Sequence, residues 1–152
     1  MTSVYLSLGT NLGDKQKNIA EAIDSIKELI GDVVRQSALY ATKPWGFASD
    51  NDFVNAAVCV ETELTPRELL ATTQHIERSL GRTEKSKDGI YHDRIIDIDI
   101  LLYGNEQVDE PDLRIPHPLM RERDFVMTPL GEIMNIATLP PAAPTDKTRI
   151  KK

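Results

Sequence analysis

The chain has 152 residues, of which 40% are hydrophobic and 28% charged, and its formal net charge is -6. This length and composition are typical of one globular domain, whereas the acidic surplus disfavours binding to nucleic acid or to an anionic membrane, which depends on clustered Lys and Arg. The single cysteine, Cys59, excludes an internal disulfide and a cysteine-rich zinc site.

The first half of the chain contains three predicted strands and one amphipathic helix. Apolar residues alternate with polar ones over 4–8 and predict a half-buried strand that ends at Gly9. Apolar residues at helical spacing from Ile19 to Ile30 predict a helix, and Gly31 follows its end. Three further segments complete this half: predicted strands over 33–40 and 53–61, and a loop over 41–52.

The second half begins with a helix start signal, because Thr65-Pro66-Arg67-Glu68 is a capping box with proline at the first helical position. The predicted helix runs to Gly81. The segment 82–93 is polar and charged and indicates an exposed mobile loop, whereas residues 95–103 are rich in β-branched side chains and predict a fourth strand. Irregular pieces follow, with short helices predicted near 119–123 and 129–134.

This order of elements, β-α-β-β-α-β, predicts an α+β fold of the ferredoxin-like type, in which two helices pack on one face of an antiparallel sheet, with short C-terminal additions. We expect one domain over 1–138 and a flexible tail over 139–152, where prolines and alanines disfavour packing. The first residues lack the features of a signal peptide, and no apolar run approaches the about 20 residues of a membrane span. We therefore expect a cytoplasmic protein.

The fourth predicted strand carries two carboxylates, Asp97 and Asp99. Side chains on a strand alternate between faces, so both acids should point the same way. The residues predicted to point the other way are Ile96, Ile98, Ile100 and Leu102. Two neighbouring carboxylates favour a cation between them, and Mg²⁺ suits oxygen ligands and completes its shell with water and phosphates. The alternative is a solvated strand face with ordinary surface acids, which a motif this short does not exclude.

Basic side chains near this acid pair favour phosphate chemistry. Arg94 precedes Asp97 by three residues, and His117 lies between two prolines, shortly before Arg121 and Arg123. Transfer of a phosphate group needs charge neutralisation and fixed geometry, which metal-binding acids, arginine and histidine together supply. Alone, His117 would more often be a loop residue or a capped core histidine. The sequence has no Gly-x-x-x-x-Gly-Lys-[Ser/Thr] motif, so phosphate binding cannot use a P-loop.

Six segments in chain order resemble the 6-hydroxymethyl-7,8-dihydropterin pyrophosphokinase family, and the resemblance extends over about residues 4–133. The segments are Leu8-Gly9-Thr10-Asn11, Tyr40-Ala41-Thr42-Lys43-Pro44-Trp45-Gly46, Phe53-Val54-Asn55-Ala56-Ala57, Gln74-His75-Ile76-Glu77 with Gly81-Arg82, Asp93-Arg94-Ile95-Ile96-Asp97-Ile98-Asp99-Ile100, and Ile115-Pro116-His117-Pro118. Each is weak alone, but six in order make a specific match.

The resemblance implies transfer of pyrophosphate from ATP to the hydroxymethyl group of 6-hydroxymethyl-7,8-dihydropterin, with release of AMP, in folate biosynthesis. By resemblance, Asp97 and Asp99 would hold two Mg²⁺ ions, and Arg82 and Arg94 would neutralise charge on the transferred group. The implied ATP-binding residues are Gln74, Glu77, Arg94, Ile100, Arg114, His117 and Arg123. The implied pterin-binding residues are Thr42, Pro44, Trp45, Phe53, Asn55, Tyr91 and Phe125. Both substrates are small molecules, and we expect a monomer.

There are two non-catalytic interpretations, and the composition disfavours the first of them. An RNA-binding module of ferredoxin-like fold would need aromatic residues on its sheet and a basic face, and a chain with 5% aromatic residues and a negative net charge offers neither. The other interpretation is a ferredoxin-like metal- or nucleotide-binding module that uses Asp97 and Asp99 without chemistry. For Phe53 and Phe125, packing in the core is an alternative to pterin binding.

Overall fold

The computed structural model describes residues 1–42, 52–81 and 95–139. Its strands are β1 (Thr2–Thr10), β2 (Gly31–Gln36), β3 (Tyr40–Thr42), β4 (Phe53–Thr62), β5 (Asp97–Tyr103), β6 (Val108–Glu110) and β7 (Leu113–Ile115). Its α-helices are α1 (Lys15–Leu29), α2 (Pro66–Ser79) and α3 (Asp124–Ile133), with short 3-10 helices at Met120–Glu122 and Ile136–Thr138. None of the helices in these ranges is long and apolar enough to cross a membrane.

The main sheet is antiparallel and has the strand order β2-β4-β1-β5, with β3 also paired to β4. The single strand predicted over 33–40 is wrong, because β2 ends at Gln36 and β3 begins at Tyr40. Ser37 lies between them, where its backbone N–H donates to the Ala57 carbonyl and its side-chain Oγ accepts from the Ala57 N–H. A serine side chain that bonds the neighbouring strand in this way replaces the regular ladder locally.

Two hydrophobic clusters lie on opposite faces of this sheet. The larger one joins Val4, Leu6 and Leu8 of β1 to the buried faces of α1 and α2, and the smaller one joins Ala57 and Cys59 of β4 to α3. Burial of each Leu or Ile contributes about 1.5–3 kcal/mol, so the larger cluster provides most of the stabilisation. The prediction of two helices on one face therefore holds for α1 and α2, while α3 covers the other face.

One residue on β5 faces the side opposite to the prediction. Leu6 pairs with Ile100 and Tyr5 pairs with Leu102, which leaves Leu101 unpaired in a bulge. An extra residue reverses the alternation beyond it, so Leu102 belongs to the cluster under α3 and not to the face of Ile98 and Ile100. Asp97 and Asp99 precede the bulge and keep the face opposite those isoleucines.

The chain beyond β5 is more regular than the sequence indicated. Strands β6 and β7 form a two-stranded antiparallel hairpin, in which Leu113 and Ile115 are buried in the larger cluster. The helix predicted near 129–134 begins earlier, at Asp124, and includes Pro129 in its interior. The segment predicted as a short helix near 119–123 is a 3-10 helix, Met120–Glu122.

Candidate active site

The acid pair of β5 lies in a row of residues that crosses three strands. In the register of the sheet, Asp97 is opposite Gly9 of β1, and Gly9 is opposite Asn55 of β4. Asp99 is opposite Ser7 in the next row on the same face. Neighbouring strands are about 4.8 Å apart, which puts Asn55 roughly 10 Å from Asp97 across the sheet.

Gly9 lies between these two side chains, and because it has no side chain its neighbours on β4 can lie close over its backbone. A Cβ atom at Gly9 would lie 3.1 Å from Oδ1 of Asn55 and 3.7 Å from Cδ1 of Phe53. Those distances show that the Asn55 amide and the Phe53 ring lie over the glycine, on the face that also carries Asp97. The structure therefore brings together Phe53 and Asn55, predicted to bind pterin, and the two acids, predicted to bind metal.

Glu77 of α2 fixes the strand between the two acids. Its Oε2 accepts a hydrogen bond of 2.8 Å from the backbone N–H of Ile98. Strand β5 is the edge of the main sheet, and a carboxylate that accepts from an edge N–H supplies the partner that a further strand would otherwise give. The position of Glu77 thus sets the backbone between Asp97 and Asp99.

Replacing Glu77 with Gln should lower turnover about tenfold or more, because a neutral amide accepts from Ile98 less strongly than a carboxylate and the strand between the acids loosens. If Glu77 has this role, Glu77→Gln should need a higher concentration of Mg²⁺ than the wild type for half-maximal activity. The matched control is Glu28→Gln on the exposed side of α1. A variant with the metal requirement of the wild type would contradict the role.

An open cleft of ≈ 390 Å³ runs beside the edge of β5. Its walls comprise Leu70 of α2, Ile98, Asp99 and Ile100 of β5, Pro111, Asp112, Leu113 and Arg114 of the β6–β7 hairpin, and His117 and Pro118. The volume lies within the range of about 300–1,000 Å³ that is usual for small-molecule sites. Four residues predicted around ATP or metal, Asp99, Ile100, Arg114 and His117, therefore share one cavity.

Two hydrogen bonds fix the position of His117, and one of them indicates which ring nitrogen carries the proton. The backbone N–H of Leu119 donates to Nδ1 of His117 over 3.2 Å, and the His117 backbone N–H donates to the Leu101 carbonyl over 3.0 Å. A neutral imidazole whose Nδ1 accepts carries its proton on Nε2. His117 can therefore offer Nε2–H as a hydrogen-bond donor to a phosphate oxygen at the cleft.

Arg123 and Phe125 lie together at the start of α3. The guanidinium carbon of Arg123 is 5.6 Å from the centroid of the Phe125 ring, a distance that suits a cation–π contact. Phe125 packs against the cluster that α3 forms with the sheet. One residue predicted for ATP and one predicted for pterin are thus neighbours.

The C-terminal end of α3 fixes the start of β3. Oε1 of Glu132 accepts from the Ala38 backbone N–H over 2.9 Å and from the Tyr40 hydroxyl over 2.8 Å. The Ala38 hydrogen bond, followed by that of Tyr40, lowers the pKa of Glu132 below its ordinary value. These two hydrogen bonds fix the position of β3, which ends at Thr42, and the backbone of Thr42 pairs with Phe53.

The remaining predicted site residues divide into two groups. Gln74 is exposed on α2, one turn before Glu77. Those that fall outside the described residues are Pro44, Trp45, Arg82, Tyr91 and Arg94, together with the predicted loop 82–93; for Thr42 only the backbone is described. The cleft also contains residues that the sequence did not suggest: Leu70, Ile98, Pro111, Asp112, Leu113 and Pro118. Helical spacing in the sequence could have indicated Leu70, because it lies on the same face of α2 as Gln74 and Glu77.

The donor set at the acid pair fits magnesium. Asp97 and Asp99 are half-buried on one face, and within residues 1–42, 52–81 and 95–139 no group of three or more His, Cys, Asp or Glu side chains could hold a metal ion. Mg²⁺ prefers oxygen ligands, and one or two carboxylates can hold it while water and substrate phosphates supply its other ligands, so the chemistry of this acid pair suits it.

Comparison with known sequences identifies the family. The sequence profile of 7,8-dihydro-6-hydroxymethylpterin-pyrophosphokinase matches residues 5–135. A 2-amino-4-hydroxy-6-hydroxymethyldihydropteridine pyrophosphokinase of Porphyromonas gingivalis is 48% identical over 146 residues, which are 95% of this chain and 98% of the relative. The enzyme of that name from Bacillus subtilis is 40% identical over 130 residues, which are 85% of this chain and 76% of the relative.

Solved structures share the fold. An HPPK-DHPS crystal structure in complex with substrates has a TM-score of 0.68 at 14% identity and is matched over 98% of this chain and 43% of that one. The wild-type HPPK-DHPS of Plasmodium falciparum has a TM-score of 0.55 at 17% identity, over 70% of this chain and 30% of that one. This chain thus spans less than half the length of those proteins. The family profile and the sequence relatives show that the chain belongs to the 7,8-dihydro-6-hydroxymethylpterin-pyrophosphokinase family.

Proposed function

We propose that this chain transfers the pyrophosphoryl group of ATP to the hydroxymethyl group of 6-hydroxymethyl-7,8-dihydropterin and releases AMP, a step in folate biosynthesis. The observation that carries the proposal is the row formed by Asn55, Gly9 and Asp97 across three strands. This row puts Asp97, the proposed metal ligand, and Asn55, the proposed partner of the pterin, on one face of the sheet with Gly9 between them. Membership of the family supports the same reaction.

In the proposed reaction the pterin hydroxyl oxygen attacks the β-phosphorus and loses its proton. The bond from that phosphorus to the oxygen bridging the α-phosphate breaks, and its electron pair leaves with AMP. A loose transition state of this kind requires positioning and charge stabilisation more than covalent participation by the protein. Two Mg²⁺ ions bound to Asp97 and Asp99 would neutralise phosphate charge and orient the entering and leaving oxygens. Arg82 and Arg94 stabilise the charge on the transferred group.

ATP occupies the cleft beside β5 in this proposal. Ile100 and Arg114 line its walls, and the Nε2–H of His117 donates to the phosphate chain. Arg123 adds positive charge from the start of α3. Gln74 and Glu77 of α2 also contact ATP in this proposal. The hydrogen bond from the Ile98 N–H to Glu77 supports the strand that carries the two acids.

The pterin lies on the sheet face beside Gly9. The rings of Phe53, Phe125, Trp45 and Tyr91 suit the flat faces of a bicycle, and the Asn55 amide can both donate to and accept from its amide-like edge. Thr42 and Pro44 complete the predicted pocket. Asn55 is 3% exposed, so its hydrogen bonds to a ligand form away from water and discriminate strongly between correct and incorrect edges.

The proposal also covers the topology, the domain bounds and the location of the protein. The strand order β2-β4-β1-β5 with α1 and α2 on one face supports a ferredoxin-like topology. We assign a single pyrophosphokinase domain to 1–138; the tail expected over 139–152 lies, beyond residue 139, outside the described residues. The protein acts as a cytoplasmic monomer on two small molecules, without nucleic acid or membrane partners.

The test is an assay of nucleotide products with the full chain, Mg²⁺, ATP and the hydroxymethyl dihydropterin. We expect AMP in amounts equal to the pyrophosphorylated pterin, and none when either Mg²⁺ or the pterin is omitted. Release of ADP would indicate transfer of a single phosphoryl group and contradict the proposal. Metal-dependent nucleotide binding without AMP would instead support the non-catalytic binding module.

A further inference from the structure

We propose that Arg67 is a positioning residue for ATP: it holds the turn of the β6–β7 hairpin against α2, and it pairs with two carboxylates beside the cleft and offsets part of their negative charge. The inference rests on the proposed function, because it takes the cleft beside β5 as the ATP site. Arg67 is not itself a lining residue of the cleft, so its effect on ATP is indirect.

Arg67 binds the hairpin through a forked set of contacts. Its Nη1 lies 2.7 Å from Oδ1 of Asp112 and 2.8 Å from Oε1 of Glu110, and its Nη2 lies 3.1 Å from Oδ2 of Asp112. Two parallel N–H donors to one carboxylate fix the relative orientation of the guanidinium and the carboxylate as well as the distance between them. One guanidinium thus joins the first turn of α2 to both sides of the turn between β6 and β7.

The helix face that carries Arg67 is the face that meets the cleft. Leu70, one turn along α2, lines the cleft, and Gln74 and Glu77 follow at the same helical spacing. On the opposite wall, Pro111 and Asp112 line the cleft from the hairpin turn. Arg67 therefore connects the two walls at one end of the cavity.

Hydrophobic packing holds the strands of the hairpin. Leu113 is buried in the larger hydrophobic cluster, and Val108 packs against that cluster. Pro111 and Asp112 at the tip are exposed. The position of Asp112 in the cleft wall consequently depends on the forked contact with Arg67 more than on packing.

Charge gives Arg67 its second effect. Glu110 and Asp112 are acidic, and a nucleotide triphosphate that enters beside them is repelled unless a cation compensates, since such interactions extend over about 10 Å at moderate salt. The hydrogen bonds from Arg67 lower the pKa of Asp112 below its ordinary value, which shows that the pairing favours the charged form of this acid. Removing Arg67 would therefore make this cluster beside the cleft more negative by one charge.

Replacing Arg67 with Ala should raise the KM for ATP about threefold to fivefold at low ionic strength, the size expected of an exposed ion pair with its orientation lost. The kcat and the KM for the pterin should stay within about twofold of wild type. The matched control is Lys17→Ala, which removes another exposed ion pair, the 3.9 Å contact of Lys17 with Glu21 on α1; it should leave all three constants unchanged.

Two further variants separate the effects of charge and geometry. Arg67→Lys keeps the positive charge without the fork and should give an intermediate KM. Adding Asp112→Asn to Arg67→Ala removes one uncompensated charge and should bring the KM for ATP part of the way back to wild type. A thermal unfolding midpoint measured for each variant shows that the fold is retained.

The outcomes distinguish this inference from the proposed function. If the wild-type chain releases no AMP from ATP and the pterin, the proposed function fails. If the wild type is active and Arg67→Ala has an unchanged KM for ATP, or loses kcat with KM unchanged, only the role of Arg67 is overturned. A rise in the KM for the pterin equal to that for ATP overturns it as well, because a general loosening would explain both.

Discussion

Replacing either Asp97 or Asp99 with Asn should lower the rate of AMP release by at least about 10³-fold, because an amide does not neutralise a metal ion and the phosphate charge in the transition state is left uncompensated. The substitution keeps the volume and shape of the side chain. Both acids are half-buried on the face opposite the isoleucines of β5, so the larger core cluster is not disturbed. Thermal unfolding of each variant should match that of the wild type.

The matched control for this pair is Asp32→Asn. Asp32 is an exposed strand aspartate of the same sheet, on β2, which is at the opposite end of the strand order from β5. We expect it to retain full turnover. If Asp97→Asn and Asp99→Asn both retained turnover near that of the control, the assignment of the metal site would be wrong.

Replacing Asn55 with Ala should raise the KM for the pterin about 10²-fold, because a buried amide that pairs with the polar edge of a ligand contributes strongly to discrimination. The KM for ATP should change little, since Asn55 lies roughly 10 Å from Asp97 across Gly9. Steady-state kinetics with each substrate varied in turn measure both constants. Asn55→Asp, which keeps the shape and removes the N–H donors, should show most of the same loss.

Asn105→Ala provides the control for Asn55, because Asn105 is exposed in the turn after β5. It should leave both constants unchanged. Equal increases in the KM for ATP and for the pterin in Asn55→Ala would place Asn55 outside a dedicated pterin pocket, and an unchanged KM for the pterin would remove it from the site.

The long strands could be predicted from the sequence because the alternation over β1 and the start of β5, and the apolar run within β4, are local signals. The bulge at Leu101 could not, since alternation does not show where a strand gains an extra residue relative to its partner. For the same reason the faces of Asp97 and Asp99 were predictable and that of Leu102 was not. Strands β6 and β7 are three residues each, too short for periodicity to indicate them.

The candidate site was predictable in its residues more than in its connections. Resemblance to the family indicated Glu77, but its hydrogen bond to Ile98, 21 positions along the chain, depends on how α2 packs against β5. The contact of Arg67 with Asp112 joins residues 45 positions apart. Neither contact has a local sequence signal, because the register of helix on sheet is set by the whole core.

The most direct test of the account is a crystal structure of the chain with Mg²⁺, an ATP analogue that has a methylene bridge between the α- and β-phosphates, and the hydroxymethyl dihydropterin. We expect cations within about 2.0–2.1 Å of carboxylate oxygens of Asp97 and Asp99, with the triphosphate above them and the pterin beside Asn55. Carboxylates turned away from the phosphates, or without cations, would contradict it.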